Sequence, residues 1–371
     1  MKFIKIRNKV VILLVILGVI QFSGIAIATD GKGDEGHKKG SVGLTHIKSN
    51  QLANAQHSIL QPRDNLFAIT RLDDGAYLLA GNNGLLLKVT GKKGYKKLNL
   101  NTNSDLLSVH ATQSGKVLLG ADKGGLFTSN GALNKWSKTS IDTTESIFNF
   151  IELATGEIIL SGSYGLLMSS KPPYSTWEPV ILPWADYLKE AWQEFGEADP
   201  HLYSGCHNQR GDILVVGEFG LVLRRDVAGQ WSKIHGGSIE PAIYGCDISG
   251  NGEDITLVGQ KGFVYESSNS GLSWLKSDIA QGDDLYKVHK TKDLSIIIGD
   301  KKNIYISSKP SAWMCRRFIG DRPLGWLVDM VISENETAII GSNGSFNVTT
   351  YASLLDAVYQ LDRSKEFVSC E

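Results

Sequence analysis

Ile213-Leu214-Val215-Val216-Gly217-Glu218-Phe219-Gly220-Leu221-Val222-Leu223 is an apolar run that stops at a glycine, crosses two residues to a second glycine and resumes as another apolar run. Two strands joined by a tight turn read this way, glycine taking the positive φ that a Cβ disfavours. Neither run alternates with polar residues, so both faces of each strand are expected to be covered. The unit recurs as residues 78–81 with 84–87, 117–120 with 125–127, 158–162 with 165–167, 256–259 with 262–264, 296–299 with 303–305, and 338–341 with 344–346.

The first glycines of the seven units, read as 81, 120, 162, 217, 259, 299 and 341, are spaced 39, 42, 55, 42, 40 and 42 residues apart. A period near 40 with several short strands per unit is that of a propeller blade. An earlier strand opens each unit on an aromatic residue or leucine: Phe67, Leu107, Phe148, Tyr203, Tyr244, Tyr286 and Trp326. A closing strand begins near Trp136, Trp177, Trp231, Trp274 and Trp313, with Tyr95 in that place in the first unit. The expected fold is therefore all-β, a seven-bladed β-propeller of four-stranded antiparallel blades over residues 59–350, a ring without long exposed edges. The seventh unit lacks a closing strand of the usual form. Either residues 42–59 or the tail, residues 351–371, could supply it; the tail could instead form a short helix.

The N-terminus carries Lys2, Lys5, Arg7 and Lys9, then an uncharged apolar run over residues 10–22 and the small residues Ala26-Ile27-Ala28. This is the pattern of a signal peptide, residues 1–28, with an uncleaved membrane anchor as the alternative. Residues 29–58 read as a polar linker with a possible ring-closing strand. The chain is expected to be exported, to the periplasm or the outer face of the cytoplasmic membrane, peripheral or tethered, and monomeric. With 38 basic and 39 acidic residues it has no positive excess for nucleic acid. Cys206, Cys246, Cys315 and Cys370 permit two disulfides in three pairings, but have no CxxC unit that would suggest zinc. Buried free thiols are the favoured reading. Cys206 and Cys246 fall on adjacent inner strands one place out of register, so a bridge between them is expected to need a bulge.

Ser267-Ser268-Asn269-Ser270-Gly271-Leu272-Ser273-Trp274 resembles an Asp-box, with Asn269 where that pattern has Asp; 169–172 before Trp177 and 307–310 before Trp313 are degenerate copies. Together with the leader and the seven turns, the repeat is similar to that of the photosystem II assembly/stability factor-like family of BNR propellers, one of the WD40/YVTN-like repeat folds. The resemblance covers about residues 60 to 350. It implies a non-catalytic scaffold that binds a protein partner, a membrane complex or transporter subunit, and helps its assembly or operation. The alternative is a carbohydrate-binding or glycoside-hydrolysing sialidase-like propeller, which needs an arginine cluster. Arg71, Arg210, Arg224, Arg225, Arg316, Arg317 and Arg322 do not recur at equivalent inner positions. No catalytic residue, metal site or cofactor is expected.

Two groups of residues are candidates for binding. The long fourth step holds an insertion at 183–200 with Trp184, Tyr187, Leu188, Ala191, Trp192 and Phe195 at the spacing of one helix face. It shares an end of the propeller with Tyr164 and Phe219 of the glycine turns. Its apolar side either packs on the propeller or joins a partner-binding face made of Trp184, Tyr187, Trp192, Phe195, Tyr164 and Phe219. The second group is a column three residues beyond the opening residue of each unit: Thr70, His110, Ile151, Cys206, Asp247, His289 and Asp329. Of these, His110, Asp247, His289 and Asp329 could meet in a polar axial channel.

Overall fold

The computed structural model describes residues 60–370 except 92–93, 198, 239, 310–312, 320 and 359–366. They form a seven-bladed β-propeller. Blade four shows the plan: strands Leu202–His207, Ile213–Gly217, Val222–Arg225 and Trp231–His235, here a to d, pair antiparallel in chain order. The a strands of the other blades are Leu66–Arg71, Leu106–Ala111, Ile147–Glu152, Ile243–Ile248, Leu285–Lys290 and Leu327–Ile332. Each borders the next around the ring, and the first borders the seventh.

The b strands are buried along almost their whole length, as their unbroken apolar runs require. The core is accordingly seven clusters, one between each pair of neighbouring blades. Leu214, Val216 and Val222 of blade four, for example, meet Ile243, Ile255 and Leu257 of blade five. Each fully buried aliphatic side chain contributes about 1.5–3 kcal/mol relative to exposure. The d-strand tryptophans lie at the rim of these clusters: Trp136, Trp177, Trp231, Trp274 and Trp313 each pack against one.

The two glycines of each turn have different causes. Gly217 is extended, with φ −167°, and a Cβ there would stand 2.2 Å from the carbonyl oxygen of His201. Close approach to the start of the a strand, not positive φ, excludes the side chain. Gly220 has φ 65° and takes the left-handed conformation. Blade two departs from the sequence reading by one residue. Its counterpart of Gly217 is Ala121, opposite Leu106 as Gly217 is opposite Leu202.

The four cysteines correct the expectation of free thiols. Cys206 bridges Cys246, with Cα atoms 5.9 Å apart, and Cys315 bridges Cys370 at 5.5 Å. The out-of-register argument fails because a propeller interface joins opposite faces of two sheets. Residues that touch across it must differ by one in pleat parity. The first bridge thus runs from the face blade four turns toward blade five to the face blade five turns back.

Among the described residues the tail does not complete blade seven. Helix α3, introduced here with α1 (Trp184–Tyr187) and α2 (Lys189–Phe195), spans Tyr351–Val358 and packs Leu354, Ala357 and Val358 between blades six and seven. Strand Phe367–Ser369 then adds to the outer edge of blade six, giving it five strands, beside the Cys315–Cys370 bridge. Blade seven has three strands among the described residues. Residues 42–59, the other candidate for its fourth, and the leader at 1–28 lie outside the described residues.

Candidate functional site

Seven b–c turns and the starts of seven a strands surround one end of the channel, and a repeated bonding pattern builds that end. The first residue of each turn bonds the residue just before its own a strand. In blade four, Glu218 N–H donates to His201 O at 3.0 Å, and His201 N–H donates back to Glu218 Oε2 at 2.7 Å. Asn82 with Asn65, Ser163 with Ser146, Gln260 with Ala242, Asp300 with Asp284 and Ser342 with Trp326 repeat the exchange. A polar residue at this point therefore has a structural reason, but not one that requires a charge.

The middle residue of the turn differs. It is left-handed in every blade: Asn83, Lys123, Tyr164, Phe219, Lys261, Lys301 and Asn343 have φ between 48° and 61°. Asparagine suits that region, whereas bulky aromatic residues are strained there. Tyr164 and Phe219 nevertheless occupy it, and they flank the insertion. Tyr164 is 38 % exposed and its ring meets His201 edge-on at 4.6 Å. Phe195, at the end of α2, is 48 % exposed and stacks on Phe219 with centroids 6.0 Å apart.

The insertion is not one helix. It breaks at Leu188, whose φ of −113° and ψ of 15° separate α1 from α2. The break sends Leu188 into the core between blades three and four, and Leu188 and Ala191 are both fully buried. Trp184, Tyr187 and Trp192 pack half-buried on the same cluster. Of the six aromatic residues proposed from sequence, Tyr164 and Phe195 thus present the most surface, Phe219 supports Phe195, and the other three chiefly anchor the insertion.

Inside the mouth a second set of rings appears. Phe148, Tyr203, Tyr244 and Tyr286 form an arc over blades three to six, with successive centroids 6.0, 5.0 and 5.6 Å apart. Acids lie among them. Tyr286 donates to Asp300 Oδ1 at 2.9 Å, and Glu218, Asp284 and Asp300 all act on the Tyr244 phenol. Burial raises the Glu218 carboxyl from 4.5 to about 7, against the opposing bonds from His201 and Tyr203. Burial likewise raises Asp284 and Asp300, with their mutual repulsion or that of Asp283 adding to it. His201 is pushed down to about 4 by burial, so its ring is neutral at pH 7 and Nδ1 accepts the Tyr164 N–H. The sequence reading saw the opening aromatics as strand markers and missed this arc, which was legible as Phe148, Tyr203, Tyr244 and Tyr286 at one repeat position.

The polar column divides into pairs that tie each blade to a neighbour. His110 Nε2 lies 2.8 Å from Glu152 Oε2 of blade three. Asp247 Oδ2 accepts the Lys290 N–H of blade six at 3.0 Å and lies 3.4 Å from His289 Nδ1. Burial raises the Asp247 carboxyl and lowers His289. Asp329 stands two places before the true column position, which is Val331, because the opening residue of blade seven is Val328 and not Trp326. No group of three or more potential ligands for a metal occurs among the described residues.

Asp329 closes the ring instead: Oδ2 accepts the Ile69 N–H of blade one at 3.0 Å, and Oδ1 pairs with Lys287 Nζ at 3.1 Å. Asp329→Ala is expected to lower unfolding stability by about 2 kcal/mol, since it strands a part-buried donor and a cation. Urea unfolding reads this directly; an unchanged midpoint would show that closure does not depend on Asp329.

Six of the described arginines are engaged apart from one another. Arg224 pairs with Asp212, Arg225 with Glu157, Arg317 with Asn303, Arg316 with the Ala357 carbonyl and Arg210 with the Asn251 carbonyl. Arg71 reaches Glu336.

No family model matches the chain, and no curated protein matches it. Among solved structures the fold is similar to YCF48 from Cyanidioschyzon merolae, with TM-score 0.64 and 13% identity over 80% of this chain and 97% of that one. It is also similar to YCF48 bound to D1 peptide, at 0.61 and 15% over 78% and 93%. Virginiamycin B lyase from Staphylococcus aureus gives 0.63 and 8% over 76% and 93%. At such identities the likeness is one of fold.

Proposed function

We propose that this chain is an exported, non-catalytic propeller scaffold that binds a protein partner, a subunit of a membrane complex or transporter, and assists its assembly or operation. The observation that carries the reading is the pair of aromatic residues held in left-handed turns beside the insertion. Left-handed backbone at a bulky residue costs about 1 kcal/mol or more. Asn83 and Asn343 fill the same place in other blades. A strained and partly exposed tyrosine is better accounted for by contact with a partner than by the fold. Three further points support the reading. A propeller of the same fold has been solved bound to a peptide. The two disulfides suit an oxidising compartment. Arg71, Arg210, Arg224, Arg225, Arg316 and Arg317 are committed to structural partners rather than gathered as a carboxylate clamp.

Tyr164→Asn is expected to leave stability unchanged or raise it by about 1 kcal/mol, because asparagine tolerates the turn. Combined with Phe195→Ser it is expected to reduce capture of the partner at least about tenfold, the loss of two interface anchors. The measurement is in-cell crosslinking of tagged protein followed by mass spectrometry, comparing wild type with the double variant. One membrane complex enriched with wild type and lost with the folded variant is the expected result. Equal enrichment would remove this face from the interface.

A further inference from the structure

We propose that the channel mouth at blades four to six receives an arginine side chain from a basic segment of the partner, its guanidinium lying against Tyr203, Tyr244 and Tyr286 and its charge met by Glu218, Asp284 and Asp300. The inference rests on the scaffold reading only in taking the b–c end as the docking side.

The geometry is that of a cation site walled by rings. The three phenols run side by side at centroid spacings of 5.0 and 5.6 Å. Tyr203 and Tyr286 are only partly buried, so each keeps some exposed surface. Aromatic rings attract a guanidinium through their quadrupoles, and arginine is favoured over lysine because its planar, weakly hydrated group stacks on them. The three acids all act on the Tyr244 phenol, from three elements. Glu218 and Asp300 come from the b–c turns of blades four and six, and Asp284 precedes the a strand of blade six.

A second observation marks the site as made for a ligand. Tyr244 is only 7 % exposed, and its hydroxyl lacks a hydrogen bond of full geometry, with only the Gln260 side-chain amide approaching it as a donor. That hydroxyl lies within the fields of Asp284, Glu218 and Asp300, with Gln260 beside it. A buried hydroxyl whose hydrogen bonding is incomplete is costly. An arriving guanidinium offers five N–H donors that can satisfy the phenol oxygen and carboxylates together.

The cations already near the mouth do not fill it. Lys301 is held by Asp283 at 2.8 Å, and Lys261 is exposed, its backbone N–H donating to Asp284. His201 beside Glu218 is neutral at pH 7.

Charge at the mouth is therefore linked to protons. Glu218 is faced by His201, Tyr203 and Tyr244; Asp284 by Lys261, Asp283 and Asp300; Asp300 by Tyr286, Asp283 and Lys301. With Glu218 at about 7, part of the cluster carries a proton at neutral pH. A bound cation favours the ionised acids, so binding releases protons and tightens as pH rises through 7.

The test is calorimetric titration of the full protein with an acetylated, amidated tetra-arginine peptide at pH 7.5, with the tetra-citrulline peptide as control. Binding of the first and not the second is expected. Glu218→Gln with Asp284→Asn should weaken it at least about tenfold, whereas Asp73→Asn with Asp293→Asn, which removes the same charge from exposed turns at the other end, should change it less than about twofold. Thermal melts confirm that both variants are folded. At pH 7 the heat should depend on the ionisation enthalpy of the buffer. No binding at millimolar peptide, equal loss in both variants, or binding without proton release would overturn the proposal. These outcomes are separable from the scaffold test: capture of the membrane partner through Tyr164 and Phe195 would survive failure of the mouth, and peptide binding at the mouth would survive failure of the scaffold reading.

Discussion

Reduction of both disulfides is expected to lower the unfolding free energy by as much as about 8 kcal/mol. On the chain-entropy account each bridge closes a loop in the unfolded chain, and loops of this length contribute about 4 kcal/mol each. The separations are 40 residues for Cys206–Cys246 and 55 for Cys315–Cys370. The two loops follow one another in sequence without overlapping, so their contributions add. Since native proteins are stable by about 5–15 kcal/mol, a loss of this size removes half or more of the total. Urea unfolding with and without reductant measures it; coincident curves would contradict it. The two bridges should also differ in what they release. Cys246 lies in the core between blades four and five, and replacing Cys206 and Cys246 by alanine should loosen the ring as a whole. Replacing Cys315 and Cys370 by serine should instead free the tail first. That tail is otherwise held by Leu354, Ala357 and Val358, by Arg316 bonding the Ala357 carbonyl and by the pairing of Phe367–Ser369 with the edge of blade six. Limited proteolysis should then cut after residue 358 in the second variant before the first.

The ring of blades was legible because its cause is local and repeated. An apolar b strand, a polar residue that bonds the start of its own a strand, a left-handed pair and a second apolar strand recur wherever two sheets bury each other. Irregular members of the repeat were misread for the same reason. Ala121 stands where glycine was expected, so the reading slipped to Gly120, and Trp326 displaced Val328 as the opening residue of blade seven. That slip put Asp329 in a column to which it does not belong. What crosses between blades was less legible. Sequence period says that two strands are neighbours, but not that opposite faces meet, and the pairing of Cys206 with Cys246 depends on that. The insertion shows a further limit. A helical spacing identifies one apolar side, yet the break at Leu188 turns part of that side inward and leaves Phe195 outside. The placing of the tail against blade six rests on a helix packing and a distant disulfide, neither of which has a local signal.

Glu218→Gln is expected to make the protein more stable at pH 8 by about 3 kcal/mol and to change the shape of its pH profile. The carboxyl of Glu218 has its pKa raised from 4.5 to about 7 in the folded chain. The folded state thus holds this proton more tightly than the unfolded state. Its contribution is fully present below pH 4.5 and is lost as pH rises through 7, a change of about 1.4 kcal/mol for each tenfold gain in proton affinity on folding. His201 works in the opposite direction. Its pKa falls from 6.5 to about 4, so its contribution is present above 6.5 and is lost as pH falls through 4. Between pH 4.5 and 6.5 the two slopes oppose each other, and the wild type should be nearly flat with respect to this pair. Above 6.5 only Glu218 still titrates, and stability should fall. Glutamine keeps an oxygen to accept the His201 N–H, so the bond at 2.7 Å can survive while the charge cannot form. The variant should then show the His201 slope alone, rising by about 3 kcal/mol from pH 4 to 6.5 and level beyond. The difference between the two proteins, from urea unfolding at each pH, removes the contributions of Asp284, Asp300 and every other group that titrates alike in both. Equal stability at pH 8 would mean that the carboxylate is solvated in the native state, and would weaken the case for a desolvated, proton-linked mouth. The expected gain implies that the native residue carries a cost when no cation is bound, which is the trade-off found where a site is kept for binding rather than for folding. Tetra-arginine at saturating concentration should narrow the gap at pH 8, because it stabilises the ionised wild type and has less to bind in the variant.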